Sequence, residues 1–328
     1  MKHLSLRFFS VLVLMLMGVP VWSQTCQTRD EIPEQAKSSM ETIAQHIFEQ
    51  ASHGDTDAMR SNSIPSLQSN FGDIAGAVND NKPAFQGANT QIRTSFLLDT
   101  GATPSPDGRF YCGVFGATGM NSGGAEFYIP GLAAGKYGIV IQDVTGPKGP
   151  YALTTVFQDL NGWKLAGFQF RPESARGHDG IWYLEQARDY KSKGQNHNAW
   201  FYYWTSWDLM APVKFMNTKL LSRITDESSG LQLKDLPSGG NGLSYSANGK
   251  TYNITDISVF RTDNSLDLSI KYSVNSTADF AATAADARNL AAAYVNQYPE
   301  LKDAFNNVWA HAIDPNGGDV PGVVPLKK

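Results

Sequence analysis

Residues 151–170 read YALTTVFQDLNGWKLAGFQF and consist of two runs of aromatic and aliphatic residues around Asn161-Gly162. Each run, 151–158 and 162–170, has the composition of a β-strand and is bounded by turn-forming residues. Asn161 and Gly162 both tolerate a positive φ, which the primed two-residue turns of β-hairpins require. The stretch therefore predicts an antiparallel hairpin with a two-residue turn.

Four further strands are predicted upstream of this hairpin. They share its content of aromatic and aliphatic residues, and they cover Gln91–Leu98, Arg109–Phe115, Ala125–Ile129 and Lys136–Gln142. Before them, residues 30–52 and 63–78 carry apolar side chains at helical spacing, which predicts two helices. Two helices followed by a run of antiparallel strands indicate an α+β layer domain, which we expect to end at Arg171-Pro172.

This order of elements resembles the nuclear transport factor 2-like (cystatin-like) cone. The segment 161–170, NGWKLAGFQF, is similar to the closing strands of exported members, in which a Gly-Trp-Lys turn leads into the last strand. The resemblance covers about 30–172 and implies long N-terminal helices packed in a curved antiparallel sheet, in a domain spanning 24–172. It implies little about function, because this cone hosts isomerases, hydrolases and binding proteins. Catalytic members rely on acidic residues inside the cone.

Residues 180–226, within a segment spanning 173–226, are predicted to form a helical hairpin. The segment resembles a single tetratricopeptide repeat in its small and aromatic positions, which are Ala187, Tyr190, Gly194, Ala199, Tyr203 and Ser206. A solenoid needs about three such repeats to be stable, and the sequence contains no second copy. The hairpin is therefore expected to dock on its neighbours rather than to form a peptide-binding array.

The remaining sequence predicts a small α+β domain at 227–313. Residues 227–242 have the composition of a linker, and Asn248-Gly249 predicts another primed hairpin turn. An alanine-rich helix is expected up to about Gln297, and Pro299 is expected to start one more helix. The Pro/Gly-rich tail, 314–328, is predicted to be disordered. The predicted fold class is therefore α+β: helices on a curved antiparallel sheet, a central helical hairpin and a small C-terminal α+β domain.

Residues 1–23 have the pattern of a cleavable secretory signal peptide. Lys2 and Arg7 form a short basic segment, residues 8–21 are mostly apolar, and Ser23 supplies the small residue before the cleavage point. The apolar run is shorter than the roughly 20 residues that a membrane helix needs. The sequence therefore predicts an exported protein, periplasmic or secreted, with no membrane span after cleavage; an uncleaved anchor is the alternative.

The net charge of the chain narrows the classes of partner that it can bind. The chain has a formal net charge of −4, and it becomes more acidic once Lys2 and Arg7 leave with the signal peptide. An acidic surface argues against nucleic acids and anionic membranes as partners.

The two cysteines, Cys26 and Cys112, would share an oxidising compartment, which favours one disulfide; two free thiols are the alternative.

The sequence 97–102, LLDTGA, resembles the nucleophile loop of retroviral-type aspartic proteases. That chemistry needs two aspartates that share a proton, and the chain contains no second Asp-Thr/Ser-Gly sequence. A loop between strands is therefore the favoured interpretation. Asp99 nevertheless stays among four polar candidates for a site, together with Tyr128, Asp143 and His178. The histidines show no metal-binding spacing, and no cofactor motif is present.

An aromatic segment, Ala199 to Trp207, is the other candidate. At helical spacing one face carries four rings, those of Trp200, Tyr203, Trp204 and Trp207. These rings suit either an interdomain core or a binding surface, and the core is favoured because apolar helical stripes usually pack inside.

The functional hypothesis is an exported, non-catalytic protein that binds an envelope protein or a small apolar ligand. The alternative is an isomerase or hydrolase that uses a pocket inside the cone, with an acid such as Asp99 or Asp143, or a phenol such as Tyr128 or Tyr137, at the pocket wall.

Overall fold

The computed structural model describes residues 24–114, 120–237, 240, 242–262 and 264–327. Within these ranges the chain has a mixed α+β fold with ten helices and four β-sheets. No helix in them has the length and apolar character of a membrane span. The predicted signal peptide, 1–23, lies outside the described residues.

The N-terminal elements are one short strand, then five helices, then six strands. In chain order they are β1 (Thr25–Thr28), α1 (Glu34–His53), α2 (Thr56–Ser61), α3 (Pro65–Ser69), α4 (Gly72–Asp80), α5 (Lys82–Phe85), β2 (Asn89–Asp99), β3 (Arg109–Val114), β4 (Met120–Tyr128), β5 (Lys136–Gly146), β6 (Gly149–Asp159) and β7 (Trp163–Pro172). The single helix predicted over 63–78 is in fact two short helices. The break falls at Asn70, whose φ of −128° and ψ of 44° lie outside the helical range.

The first sheet has five antiparallel strands in the order β1-β2-β5-β6-β7. In the β6–β7 hairpin, Asp159 pairs with Trp163, so the turn contains three residues and the two-residue prediction was wrong. The Asp159 carboxylate accepts a hydrogen bond from the Gly162 N–H at 3.0 Å, which stabilises the longer turn. Asn161 has the expected positive φ, 59°.

Both faces of this sheet are covered. Helices pack on one face, where α1 contributes Met40, Ala44, Ile47 and Ala51 at helical spacing against strand residues such as Leu153. The β3–β4 hairpin covers the other face, in a core formed by Phe96, Leu98, Phe110, Cys112, Ala125, Phe127, Ile139 and Ile141 with their neighbours. The hydrophobic side chains of the sheet are therefore used for packing on both sides.

Cys26 and Cys112 form a disulfide, as predicted, and no free cysteine remains. Their Cα atoms are 4.9 Å apart. Because Cys26 lies on β1 and Cys112 on β3, the bond joins the edge of the first sheet to the hairpin that covers it. The segment around Cys26 is thereby attached to the body of the domain.

The central segment contains short strands and three helices. They are β8 (Ser174–Ala175), β9 (His178–Asp179), α6 (Gly180–Ser192), α7 (Asn196–Met210), β10 (Met216–Asn217) and α8 (Lys219–Ser229). The sequence predicts only a helical hairpin here, and α8 is an additional helix. It begins where the Thr218 hydroxyl accepts a hydrogen bond from the Leu221 N–H at 3.3 Å, and Leu221 and Ile224 anchor it in the core.

The C-terminal elements are β11 (Leu243–Ala247), β12 (Lys250–Arg261), β13 (Leu266–Ser273), α9 (Phe280–Gln297), α10 (Leu301–Ala304), β14 (Asn307–Ile313) and β15 (Asp319–Pro325). The five strands form one sheet in chain order, in which only β13 and β14 are parallel, connected by α9 and α10. The tail is thus not disordered, because β15 pairs with β14 along its whole length. The helix expected after Pro299 ends at Ala304, and Val308, Ala310 and Ala312 instead face the core at the spacing of a strand.

The helices α6–α8 and the C-terminal sheet share one continuous hydrophobic core. Tyr202 of α7, for example, contacts Phe305, and its hydroxyl donates a hydrogen bond to the Ala304 carbonyl at 2.9 Å. The boundary predicted at 226/227 therefore does not separate two independent cores.

Gly322 on β15 is a position where α9 approaches the sheet very closely. A Cβ atom at Gly322 would lie 2.3 Å from the Arg288 backbone nitrogen and 2.8 Å from the Ala284 carbonyl oxygen. Both are backbone atoms, so the helix itself would have to move. We expect Gly322→Ala to lower the free energy of unfolding by about 1–3 kcal/mol, the usual cost of overpacking. Urea denaturation measures the change.

The control for this prediction is Gly76→Ala. Gly76 lies in α4, and a Cβ there meets nothing within 4 Å. Alanine is the better helix former, so this variant should be as stable as the parent or more stable, by up to about 1 kcal/mol. If the two variants had equal stability, close packing at Gly322 would be refuted.

Candidate functional site

The four rings of the predicted aromatic face, those of Trp200, Tyr203, Trp204 and Trp207, do not share one environment. Tyr203 is buried, and its hydroxyl donates a hydrogen bond to Glu227 at 3.1 Å. Trp200, Trp204 and Trp207 form a row with ring centroids 5.9 Å apart in each step. Trp200 and Trp207 pack at the edge of the core, while Trp204 is 38% exposed. The segment is therefore mostly buried, with one tryptophan at the surface.

The carboxylate candidates are far apart. Across the β2–β5 ladder, Asp99 is opposite Lys136, and Asp143 is opposite Gln91. Seven residues of strand separate these two ends, which corresponds to roughly 23 Å. Tyr128 lies at the end of β4 in another sheet and is half exposed. The three groups do not converge on a common pocket.

Asp99 and Asp143 also have structural partners. The Asp99 carboxylate accepts a hydrogen bond from the Gly101 N–H at 2.8 Å, and Gly101 has a φ of 73°. The Asp-Thr-Gly sequence is thus a tight turn after β2, in agreement with the loop interpretation. Asp143 pairs with Arg93, which also binds Glu173 at 2.6 Å.

His178 is exposed and lies on β9, where it lines a cleft of about 1110 Å³. Three parts of the chain form the walls. The β5–β6 turn and the start of β6 contribute Lys148 and Tyr151, the β8–β9 hairpin and the start of α6 contribute Arg176, His178 and Trp182, and β12 contributes Phe260 and Arg261. The cleft therefore lies between the N-terminal sheet and the C-terminal sheet, with the central segment as its floor.

Aromatic rings dominate the apolar part of this cleft. The rings of His178 and Trp182 are stacked, with centroids 3.8 Å apart and an interplanar angle of 12°. Tyr151 stacks on Phe170 at 4.5 Å. Phe260 is 56% exposed, which is unusual for a phenylalanine at a concave site. Flat apolar surface is thus available to a ligand.

The polar part of the cleft is mainly cationic. Among the described residues, Lys148, Arg176 and Arg261 line it, together with a single carboxylate, that of Asp179. The Asp179 carboxylate caps α6 by accepting a hydrogen bond from the Trp182 N–H at 2.8 Å. No carboxylate in the described part of the chain forms an ion pair with Arg176.

The backbone places Arg176 in an uncommon conformation. Arg176 and Gly177 form the two-residue turn between the paired residues Ala175 and His178, with φ values of 52° and 76°. The Asn248-Gly249 turn, predicted from the sequence, has nearly the same angles, 54° and 75°. Asparagine tolerates the left-handed region well, whereas arginine is disfavoured there.

His178 is a candidate from the sequence, but its partners in the cleft are not. Phe260 and Arg261 are more than eighty positions away from His178, so no local spacing connects them. The one available signal was Arg-Gly at a turn position, which has the geometry of Asn-Gly but a different side chain.

Within the described residues, no group of three or more His, Cys, Asp or Glu side chains is arranged to hold a metal ion. Comparison of the chain with protein-family models, with curated proteins and with solved structures found no match. The cleft is therefore interpreted from its own geometry.

Proposed function

We propose that this chain is an exported, non-catalytic binding protein and that its ligand occupies the cleft at Phe260 and Trp182. The observation that carries the proposal is the cleft itself, about 1110 Å³, with an exposed phenylalanine and a stacked His178–Trp182 pair in its walls. Ligand sites are typically concave, lined by aromatic side chains, and found between structural units.

We further propose that residues 24–172 adopt a nuclear transport factor 2-like arrangement and that α6 and α7 correspond to a single tetratricopeptide-like hairpin. The twenty-residue helix α1, packed against the antiparallel strands β2, β5, β6 and β7, supports the first assignment. Side chains fill the helix-covered face of that sheet, and Asp99 and Asp143 lie at opposite ends of it. An enzyme inside the cone therefore has less support than a binding protein.

Export is proposed from the signal-peptide pattern of residues 1–23 together with the disulfide. Structural disulfides persist in oxidising compartments such as the periplasm or the extracellular space. The disulfide is evidence for export that does not depend on the signal-peptide pattern, since Cys26 and Cys112 both lie after residues 1–23.

The proposal is tested by removing the exposed ring from the cleft. A thermal-shift screen of the purified chain against neutral, anionic and cationic aromatic compounds should identify compounds that raise Tm. We expect Phe260→Ser to abolish these shifts, because the ligand would lose a contact surface. Since the Phe260 side chain is exposed, the substitution should itself change stability little.

Phe280→Ser is the matched control. Phe280 is 63% exposed at the start of α9 and does not line the cleft. The control should retain every ligand-induced shift. Compounds that stabilise the parent and both variants equally would show that the cleft is not the binding site.

A further inference from the structure

We infer that the ligand of this cleft is an anion carrying a flat aromatic group, such as an aryl carboxylate or an aryl phosphate. This inference rests on the proposed function, since it names the chemical class of the ligand for the same site. It is carried by Arg176, held at the edge of the cleft beside the stacked His178–Trp182 pair.

The first step concerns the choice of residue at the turn. In the described part of the chain, two two-residue turns have φ values of 52–54° and 75–76° at their central residues, and one uses Asn248-Gly249 while the other uses Arg176-Gly177. Asparagine is the favoured residue in this turn, and arginine has no local advantage there. A disfavoured residue at a concave site indicates a role for its side chain.

The second step concerns the charge of the site. Arg176 has no carboxylate partner among the described residues, while Arg261 is already bound to Asp208. Burial, followed by repulsion from Arg176, lowers the pKa of Lys327, so the field of this guanidinium extends to neighbouring groups. The Asp179 carboxylate is engaged in capping α6. An anionic group would therefore find Arg176 available for a charge-assisted hydrogen bond.

The third step concerns the flat part of the ligand. His178 covers the Trp182 ring on one side and is itself exposed, so its outer face can receive a third ring in the stack. Phe260 offers a second exposed ring in the same cleft. Arginine also stacks on aromatic groups, and it can bind carboxylate and phosphate in bidentate fashion.

The test compares compounds that carry the anionic charge, the aromatic ring or both. Isothermal titration of the purified chain would compare 2-naphthoate and 2-naphthyl phosphate with uncharged 2-naphthamide, and with acetate and inorganic phosphate, which have no ring. We expect at least one of the anionic naphthyl compounds to bind about tenfold more tightly than the amide, as one charge-assisted hydrogen bond would produce. Whichever of the two binds more tightly distinguishes a carboxylate site from a phosphate site.

Arg176→Asn is the decisive variant because it removes the charge and places the favoured residue in the turn. Its Tm should equal or exceed that of the parent, and its affinity for the anionic naphthyl compound should fall about tenfold, to that of the amide. Arg223→Gln removes the same charge from an exposed position on α8, outside the cleft, and should leave the affinity unchanged.

Two results would overturn this inference. Equal affinities for naphthoate, naphthyl phosphate and naphthamide, all lost in Phe260→Ser, would refute the anionic class and leave the proposed binding function intact. Anion binding that persists in Arg176→Asn would also refute it. If no compound of any charge binds in the screen or in the titrations, the inference and the proposed function both fail.

Discussion

Reduction of the Cys26–Cys112 disulfide is expected to destabilise the protein by about 4.5 kcal/mol, the value that chain entropy gives for a closed loop of this size. The two cysteines are 86 positions apart, so the bond closes a loop that includes α1 to α5 and β2. Opening the loop increases the conformational freedom of the unfolded chain far more than that of the folded chain. We expect Tm to fall by roughly 10 °C or more.

The measurement is thermal and urea denaturation with and without a reductant. The double variant Cys26→Ala/Cys112→Ala is the control: it should show the lowered stability in both conditions and no response to the reductant. Its loss should slightly exceed that of the reduced parent, since Cys112 is fully buried and alanine leaves a small void. A reduced parent as stable as the oxidised one would contradict the prediction.

Asp208→Asn should be the second most damaging change, at about 3 kcal/mol; this is the lower end of the range for breaking a buried ion pair, because 29% of the Asp208 side-chain surface stays exposed. Asp208 on α7 binds Arg171 from the N-terminal sheet and Arg261 from the C-terminal sheet. Arg171 also donates a hydrogen bond to the Asp208 carbonyl at 3.0 Å. One carboxylate therefore links three parts of the chain, and its removal leaves two largely buried guanidinium groups without their counter-charge.

The same carboxylate makes stability depend on pH in a defined direction. Burial alone would raise the pKa of Asp208, but the charges of Arg261 and Arg171 outweigh burial and hold this pKa below its usual value. The folded state therefore binds a proton less readily than the unfolded state. The contribution of Asp208 is complete above an unfolded-state pKa of about 3.9 and is lost as the pH falls through the lower folded-state pKa.

Urea denaturation midpoints of the parent and of Asp208→Asn at pH 7 and pH 3 test the predicted loss of stability and its dependence on pH. The stability gap between the parent and Asp208→Asn should be large at pH 7 and smaller at pH 3. Asp189→Asn is the control, because Asp189 pairs with Lys193 on the exposed side of the same helical hairpin and should change the midpoint little at either pH. A gap that stays constant between pH 7 and pH 3 would show that Asp208 acts through packing and not through its charge.

Local sequence was a good guide wherever neighbouring residues determine conformation. Aromatic and aliphatic runs between turn residues located β5, β6 and β7, and helical spacing located α1 to within a few residues. Asn248-Gly249 gave the correct turn because its preference for positive φ is intrinsic to the two residues. The paired cysteines followed from their number and from the expected compartment.

Prediction failed where a distant segment decided the outcome. The tail became β15 only because β14 supplies hydrogen-bonding partners along its length. Val308 and Ala312 are four residues apart and so fit a helix as well as a strand, and the pairing of this segment with β13 and β15 beneath α9 selected the strand. The β6–β7 turn gained a residue because the Asp159 side chain stabilises the longer form.

The sequence alone therefore determined the α+β class, the positions of most regular elements, the disulfide and the pattern of an export signal. Only the tertiary structure decided that Arg176, Trp182 and Phe260 share one cleft and that Asp208 connects three parts of the chain. The physical reason is the distance along the chain over which each kind of interaction acts. Backbone preferences and hydrophobic spacing act within a few residues, whereas a site between two sheets depends on contacts across eighty positions or more, which no local pattern encodes.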